Sequence, residues 1–387
     1  MKWSVQIGKV IGIPIQLHIT FLFILLLFIY YFSSFEFQIG TLVLGFYGMD
    51  ISLMEKLVFS TIASILFFST ILLHEISHSF VAKRNGLDIK SITLFVFGGV
   101  AQMEEIPRDP KLELKMAAAG PGISLVIGIV TYAFYMYYGP ADMGEMGMNA
   151  KNAVLITAGI ISFYNLVLGI FNLLPAFPMD GGRVLRAFLA LWLPYMDATR
   201  MAVSIGKTFA FLMGIFGLLT INIILVLIAL FVYYGAQGEE RETFFAISLE
   251  GIKVKDVMTH APDLIYIPPD WTISQLVDVM FRFKHMGYPV QEDLDKPPMG
   301  VVTFEDVQKV SMELHNTVHV RDIMTKDIIS VSPEHEAYHA LQTIAKNNIG
   351  RLLVIQDSRI KGIVTMKDIM RNMQFKHMNI PQNNYKR

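Results

Sequence analysis

Three residues in the 387-residue chain have the types and spacing for metal-dependent chemistry. The stretch His74-Glu75-Ile76-Ser77-His78 lies inside an apolar run from Leu57 to Ala82. A helix turns about 100° per residue, so residues four apart share a face. His74 and His78 can therefore hold one metal ion together, with Glu75 beside them to polarise a water on that ion. This is the H-E-x-x-H spacing of helices that bind catalytic zinc. Three fixed positions in five also arise by chance, but the surroundings weigh against that. Two imidazoles and a carboxylate are costly in an apolar helix, and ionisable groups within a membrane segment mark functional sites. The chain contains no cysteine, so disulfides and thiol nucleophiles are excluded and any metal must be held by His, Asp or Glu.

Two histidines call for a third protein ligand if a fourth position is to stay open for water. The segment Asn172-Leu-Leu-Pro-Ala-Phe-Pro-Met-Asp-Gly-Gly-Arg183 offers Asp180 just after a helix broken by two prolines. Irregular backbone at membrane depth is tolerated only where it is buried or lines a cavity. Asp180 can instead cap a helix beginning at Gly181; the metal role is the favoured one.

The elements that must position these groups follow from composition. Hydrophobic residues make up 53% of the chain and charged residues 17%, and the mean hydropathy is +0.47. That is too apolar for an ordinary soluble protein, and a net charge of −1 leaves no footprint for nucleic acid. Apolar runs dominate up to Gly238 and charged residues become frequent after it. The expected architecture is a polytopic α-helical membrane domain, residues 1–238, followed by a soluble α+β half. About six transmembrane helices are expected: Leu17–Phe32, Leu57–Ala82, Lys115–Tyr138, Asn152–Leu174, and two more within Met201–Tyr234 that turn near Thr220-Ile-Asn222. Met1–Gln16 leads into the first span, which no small-residue cleavage site follows. Val184–Leu193 reads as a short amphipathic helix at the cytoplasmic surface. The run Ala117-Ala-Ala-Gly-Pro-Gly-Ile-Ser124 is accounted for by close helix packing.

Ser91–Met103 is aromatic and β-branched with a Gly pair at Gly98-Gly99, which suits a hairpin. It is either an interfacial loop or a sheet edge able to pair with an extended substrate. Six basic residues lie between Lys83 and Lys115 and none between Ser33 and Glu55. The positive-inside rule then places that loop, the N-terminus and the C-terminal half in the cytoplasm of a multi-pass membrane protein. Lys83 is nine residues beyond His74, so the metal would lie roughly 14 Å from the cytoplasmic edge at about 1.5 Å per residue.

The soluble half repeats itself. Val254-Lys-Asp-Val-Met-Thr259 matches Val320-Arg-Asp-Ile-Met-Thr325, and Gly300-Val-Val-Thr-Phe-Glu-Asp306 matches Gly362-Ile-Val-Thr-Met-Lys-Asp368. Between these landmarks each copy has an extended stretch, an amphipathic helix (Ile273–His285; Ala337–Asn347) and a strand. Two tandem βαββα units, residues 252–310 and 318–375, are expected to pack on each other, with a polar tail at 376–387.

The membrane half resembles the site-2 protease family of intramembrane zinc metalloproteases, over Val10 to Gly235. The likeness rests on His74-Glu75-x-x-His78, the Asn172…Pro175…Asp180-Gly181 motif, the Gly98-Gly99 loop and the small-residue run. It implies one zinc per chain held by His74, His78 and Asp180, Glu75 as general base, and Asn172 holding substrate or polarising its carbonyl. The implied activity is cleavage of membrane proteins in or near their transmembrane segments. The soluble half resembles a tandem pair of CBS domains over Ile252 to Met373. That likeness implies an adenine nucleotide (ATP, ADP or AMP) at Thr303/Asp306 and Thr365/Asp368, with Arg351 and Lys367 near the second motif, and a homodimer formed through the pairs. Asp306 and Asp368 can equally cap helices. The rival reading is a CBS-regulated transporter or channel with an intramembrane ion site, which would not need a glutamate directly after the first histidine.

Overall fold

The computed structural model describes residues 3–96, 98–103, 109–139, 150–261, 264–293 and 296–377. The chain divides into two units, Met1–Thr243 and Phe244–Arg387. The first opens with two strands, β1 (Ser4–Val10) and β2 (Ile13–His18), then α1 (Ile19–Ser34), a short hairpin of β3 (Phe37–Ile39) and β4 (Leu42–Leu44), and the long α2 (Leu53–Arg84). Next come β5 (Ile89–Phe95), β6 (Gly98–Met103), α3 (Pro110–Tyr138), α4 (Ala150–Asn172), α5 (Asp180–Leu189), α6 (Tyr195–Leu219) and α7 (Ile223–Ser248). Helix α2 starts where Ser52 and Glu55 form a capping box, and it ends on Lys83 and Arg84, whose charges complement the negative end of the helix dipole.

Helices α2, α3, α4, α6 and α7 are long and apolar enough to cross a membrane; α1 is a shorter apolar helix. Their outward faces carry large exposed apolar side chains, such as Leu22, Phe23, Phe211, Leu212 and Phe231, a surface that suits lipid rather than water. The tight turn falls at Thr220–Asn222 as expected, with Asn222 Oδ1 accepting from the Leu225 amide at 3.0 Å.

Two elements differ from expectation. Residues Ser4–His18 form a hairpin rather than a lead into the first span, and their strands join a four-stranded sheet in the order β1-β2-β5-β6. Strand β2 runs parallel to β5 with Ile15 opposite Ile92, and β5 runs antiparallel to β6. The alternation of Ile13, Ile15 and Leu17 is the reason, because Ile13 and Ile15 bury with Ile92 against Leu72 and Ile76 of α2, as a period-two face requires. The amphipathic helix begins at Asp180, four residues earlier than expected, and buries Arg186 to 1% exposure.

The second unit contains α8 (Val254–Val257), β7 (Thr259–His260), α9 (Ile273–Phe283), β8 (Gly287–Val290), β9 (Gly300–Thr303), α10 (Phe304–Gln308), α11 (Val320–Ile323), β10 (Ser330–Val331), α12 (Ala337–Asn347), β11 (Arg351–Gln356), β12 (Arg359–Thr365) and α13 (Met366–His377). The two copies have separate cores: Ile273, Leu276, Tyr288 and Val302 in one, Leu341, Ile344, Leu352 and Val364 in the other. They also exchange strands. Strand β7 of the first copy adds to the sheet of the second in the order β10-β11-β12-β7, and Thr325 bridges back to Val301. Of the polar tail, residues 378–387 lie outside the described residues.

Candidate metal centre

Helix α2 presents His74 and His78 one turn apart, and α5 brings Asp180 to them from 102 residues further along. Asp180 Oδ2 lies 3.2 Å from His74 Nε2 and 3.1 Å from His78 Nε2, and the two Nε2 atoms are 3.2 Å apart. Asp180 is the first residue of α5, and the capping position belongs to Met179, which makes no side-chain cap. The carboxylate is thus turned to the histidines rather than to the helix end.

The far side of each imidazole is held by α3. His78 Nδ1 donates to the Met116 carbonyl at 2.7 Å, and His74 Nδ1 lies 2.9 Å from Ser124 Oγ. With Nδ1 of His78 carrying the proton, Nε2 of the neutral ring has only a lone pair to offer. Lone pairs of His78 and Asp180 therefore face one another about 3 Å apart, an arrangement that a cation satisfies. Tetrahedral ligands at zinc–ligand distances of about 2.0–2.1 Å sit roughly 3.3 Å from each other, close to the spacing seen. Between Met116 and Ser124, four residues from each, Gly120 leaves the space open. A Cβ on it would fall 2.1 Å from His78 Nε2 and 2.6 Å from His74 Nε2. The donor set and the gap before it fit a zinc ion. The small-residue run of α3 was expected only to pack; Gly120 and Ser124 lie against the histidines.

Glu75 lies directly under β6, since a Cβ on Gly99 would come within 2.3 Å of Glu75 Cγ. Strand β6 is an edge of its sheet. The expected hairpin is therefore present, and its glycine pair sits over the carboxylate. Asn172 closes α4, but its amide donates to the Leu168 carbonyl of its own helix at 3.0 Å, and no described contact joins it to the three ligand candidates. A second asparagine, unremarked in the sequence, is fully buried: Asn165 donates to Thr70 Oγ1 at 2.9 Å, pinning α4 to α2 one turn before His74.

In the second unit, Thr303/Asp306 and Thr365/Asp368 each form a capping box. Asp306 Oδ2 accepts from the Thr303 amide at 3.0 Å and hydroxyl at 2.7 Å, and Asp368 Oδ2 does the same with Thr365 at 3.1 and 2.6 Å. Burial pushes the Asp306 carboxyl upward, but the Thr303 and Lys309 hydrogen bonds outweigh it and hold it below the usual carboxylate range. Arg351 is not confined to the second motif as expected. Its guanidinium donates to the Gly287 carbonyl and, with Thr303, flanks Gly287 of the first copy. The strand exchange between copies brings it there. Burial lowers the Arg351 pKa.

One further cluster went unread in the sequence. Arg186 Nε and Nη2 donate to Glu113 Oε1 at 2.8 and 2.5 Å, and Nη1 donates to Glu239 Oε1 at 2.8 Å and Thr243 Oγ1 at 3.2 Å. Tyr195 donates to Glu113 Oε2 at 3.0 Å. These residues come from four helices with no common spacing, so no local pattern announces them.

A multi-pass helical domain with a His-Glu-x-x-His helix and a facing aspartate, followed by a tandem repeated pair, defines a membrane zinc metalloprotease, and comparison with known proteins agrees. Residues 62–215 match the model of "Peptidase family M50", and residues 254–313 and 320–374 each match the CBS domain. The chain is 37% identical over 96% of its length to the zinc metalloprotease MJ0392 of Methanocaldococcus jannaschii, covering 97% of that protein. It is 28% identical over 96% of its length to the putative zinc metalloprotease Rip3 of Mycobacterium tuberculosis, covering 93% of it. Among solved structures, a site-2 protease from Methanocaldococcus jannaschii is 40% identical, with 62% of this chain and 95% of that one covered and a TM-score of 0.39. The chain belongs to peptidase family M50, the site-2 protease type, and carries a tandem CBS pair. The rival transporter reading is set aside by that membership.

Proposed function

We propose that the protein hydrolyses peptide bonds in or near the transmembrane segments of other membrane proteins, using one zinc per chain held by His74, His78 and Asp180. The observation that carries this is the convergence of those three side chains, with Glu75 next to them, beneath a strand that is the edge of its sheet among the described residues. When bound, zinc supplies Lewis acidity toward water and a peptide carbonyl. Glu75 takes the proton of the attacking water on its carboxylate and returns it to the leaving amine. Met116 and Ser124 fix the imidazole rings so that both Nε2 lone pairs point inward. A substrate helix must unwind to expose its peptide bond, and the free edge of β6 holds it extended by main-chain pairing. Asn172 serves the substrate carbonyl once its amide leaves Leu168.

The test is Glu75→Gln in purified full-length protein supplied with a single-span substrate. Zinc content should stay near one per chain while turnover falls about 10²–10⁴-fold, the usual worth of a general base. Parent turnover in that variant removes Glu75 from the mechanism. His74→Ala, His78→Ala and Asp180→Asn should lower metal and turnover together, and full zinc occupancy in Asp180→Asn would remove it from the ligand set.

The proposal extends to the second unit. The membrane domain is taken as residues 1–238 and the CBS domains as 252–310 and 318–375, dimerising through the pairs and sensing an adenine nucleotide. Thr303, Asp306, Thr365 and Asp368 would contact ribose, and Arg351 beside Thr303 would meet phosphate. Regulation requires the nucleotide to favour one state of the protease. Cleavage by the full-length protein with and without ATP, ADP or AMP tests this, and an unchanged rate under saturating binding would leave a ligand but no regulator.

A further inference from the structure

Arg186 is the largest fully buried side chain among the described residues and has no part in the proton transfers above. A buried ion pair seldom adds stability over apolar residues of the same volume, because desolvation offsets the attraction. Its best-attested use is to fix a register. Here the planar fork fixes α5. Both Nε and Nη2 engage Glu113 of α3, while Nη1 engages Glu239 and Thr243 of α7. The guanidinium also lies 5.0 Å from the Phe177 ring and 5.1 Å from that of Tyr195. Helix α5 has ten residues, too few to hold its own place without tertiary contacts. Its first residue is Asp180, six residues from Arg186 and therefore about 9 Å along the axis. Helix α3, which takes the other side of the guanidinium, also carries Met116, Gly120 and Ser124 against the histidines.

We infer that Arg186 is a positioning residue for the metal centre: it clamps α5 between α3 and α7 and so sets the Asp180 carboxylate opposite His74 and His78. The inference rests on the proposed ligand role of Asp180. It adds a consequence for regulation, because α7 runs on past Thr243 into the second unit, so a shift of Glu239 and Thr243 reaches the third ligand through one side chain.

The experiment reads zinc affinity of full-length protein in detergent by competition with a chromogenic chelator, alongside thermal melting of the zinc-free form. Arg186→Lys keeps the charge and loses the fork; Glu239→Gln and Thr243→Val leave the Glu113 pair in place. Arg186→Lys and Glu239→Gln should each weaken zinc binding roughly tenfold, as loss of groups that orient ligands does, and Thr243→Val by less. In an Asp180→Asn background none should weaken it further, since the clamp acts through that residue. Parent zinc affinity with a lower melting temperature means the cluster is structural only and overturns the inference; so does an additive loss in the Asp180→Asn background. If Arg186→Lys fails to fold, the two α7 variants decide alone. Should Asp180→Asn itself keep parent affinity, the ligand assignment falls and the inference with it; parent affinity in Glu239→Gln and Thr243→Val beside a weakened Asp180→Asn sinks only the inference.

Discussion

At the scale of single residues, the candidate centre is decided as much by what α3 leaves out as by what α2 supplies. Gly120 keeps a methyl out of the space between the two Nε2 atoms, and a Cβ there would sit 2.1 Å from one and 2.6 Å from the other. Gly120→Ala should therefore abolish stoichiometric zinc, measured by elemental analysis after gel filtration. An occupied Gly120→Ala protein would mean that the ion lies elsewhere. Ser124→Ala is milder. It leaves His74 Nδ1 without its 2.9 Å partner and frees the ring to rotate, so zinc affinity should fall about 10–100-fold. Unchanged affinity would show that packing alone holds the ring.

Among the elements, the capping boxes of the CBS pair make a separable case. The Asp306 carboxylate closes the capping box at the start of α10 by accepting from Thr303, so Asp306→Ala should cost about 1 kcal/mol. The pKa of Asp306 is lowered in the folded chain. The stability it adds is complete above the ordinary carboxylate value and is lost as pH falls through the folded value. A urea melt followed at Trp271, with Trp3 and Trp192 replaced by Phe, should show the deficit in full at neutral pH and a progressively smaller one as the pH is taken below the ordinary carboxylate value. A deficit that persists in acid would mean the loss comes from packing. The same geometry bears on nucleotide recognition, because a carboxylate engaged in a cap has fewer lone pairs left for ribose.

For the whole molecule, the question is orientation and coupling. Six basic residues lie between Lys83 and Lys115 and none between Ser33 and Glu55, and we propose from this bias that the N-terminus and the CBS pair face the cytoplasm. A cysteine at Ser311 is clean to label in a chain without native cysteine. It should stay unlabelled by an impermeant reagent added to intact cells and react after lysis. Labelling before lysis would invert the topology.

The sequence by itself determined that this is a membrane protein with a metal motif and a repeated soluble half, because those properties are local. Hydropathy, the four-residue spacing of His74 and His78, and the Val254 and Val320 repeats can each be read in one window. It also marked the Ser91–Met103 hairpin through composition, and the turn at Thr220–Asn222. Tertiary structure alone decided the rest. Which oxygen meets the histidines, what orients their rings, and why Gly120 is a glycine depend on α3 and α5 packing against α2. Ile13 and Ile15 became part of a strand because a sheet partner at Ile92 was available to them. Arg186 read as one charge on a surface helix, and its meaning came from Glu113, Glu239 and Thr243, residues 73, 53 and 57 positions away. Long-range pairing of buried charges leaves no periodic trace in a chain, since each partner is fixed by the three-dimensional path of a different helix.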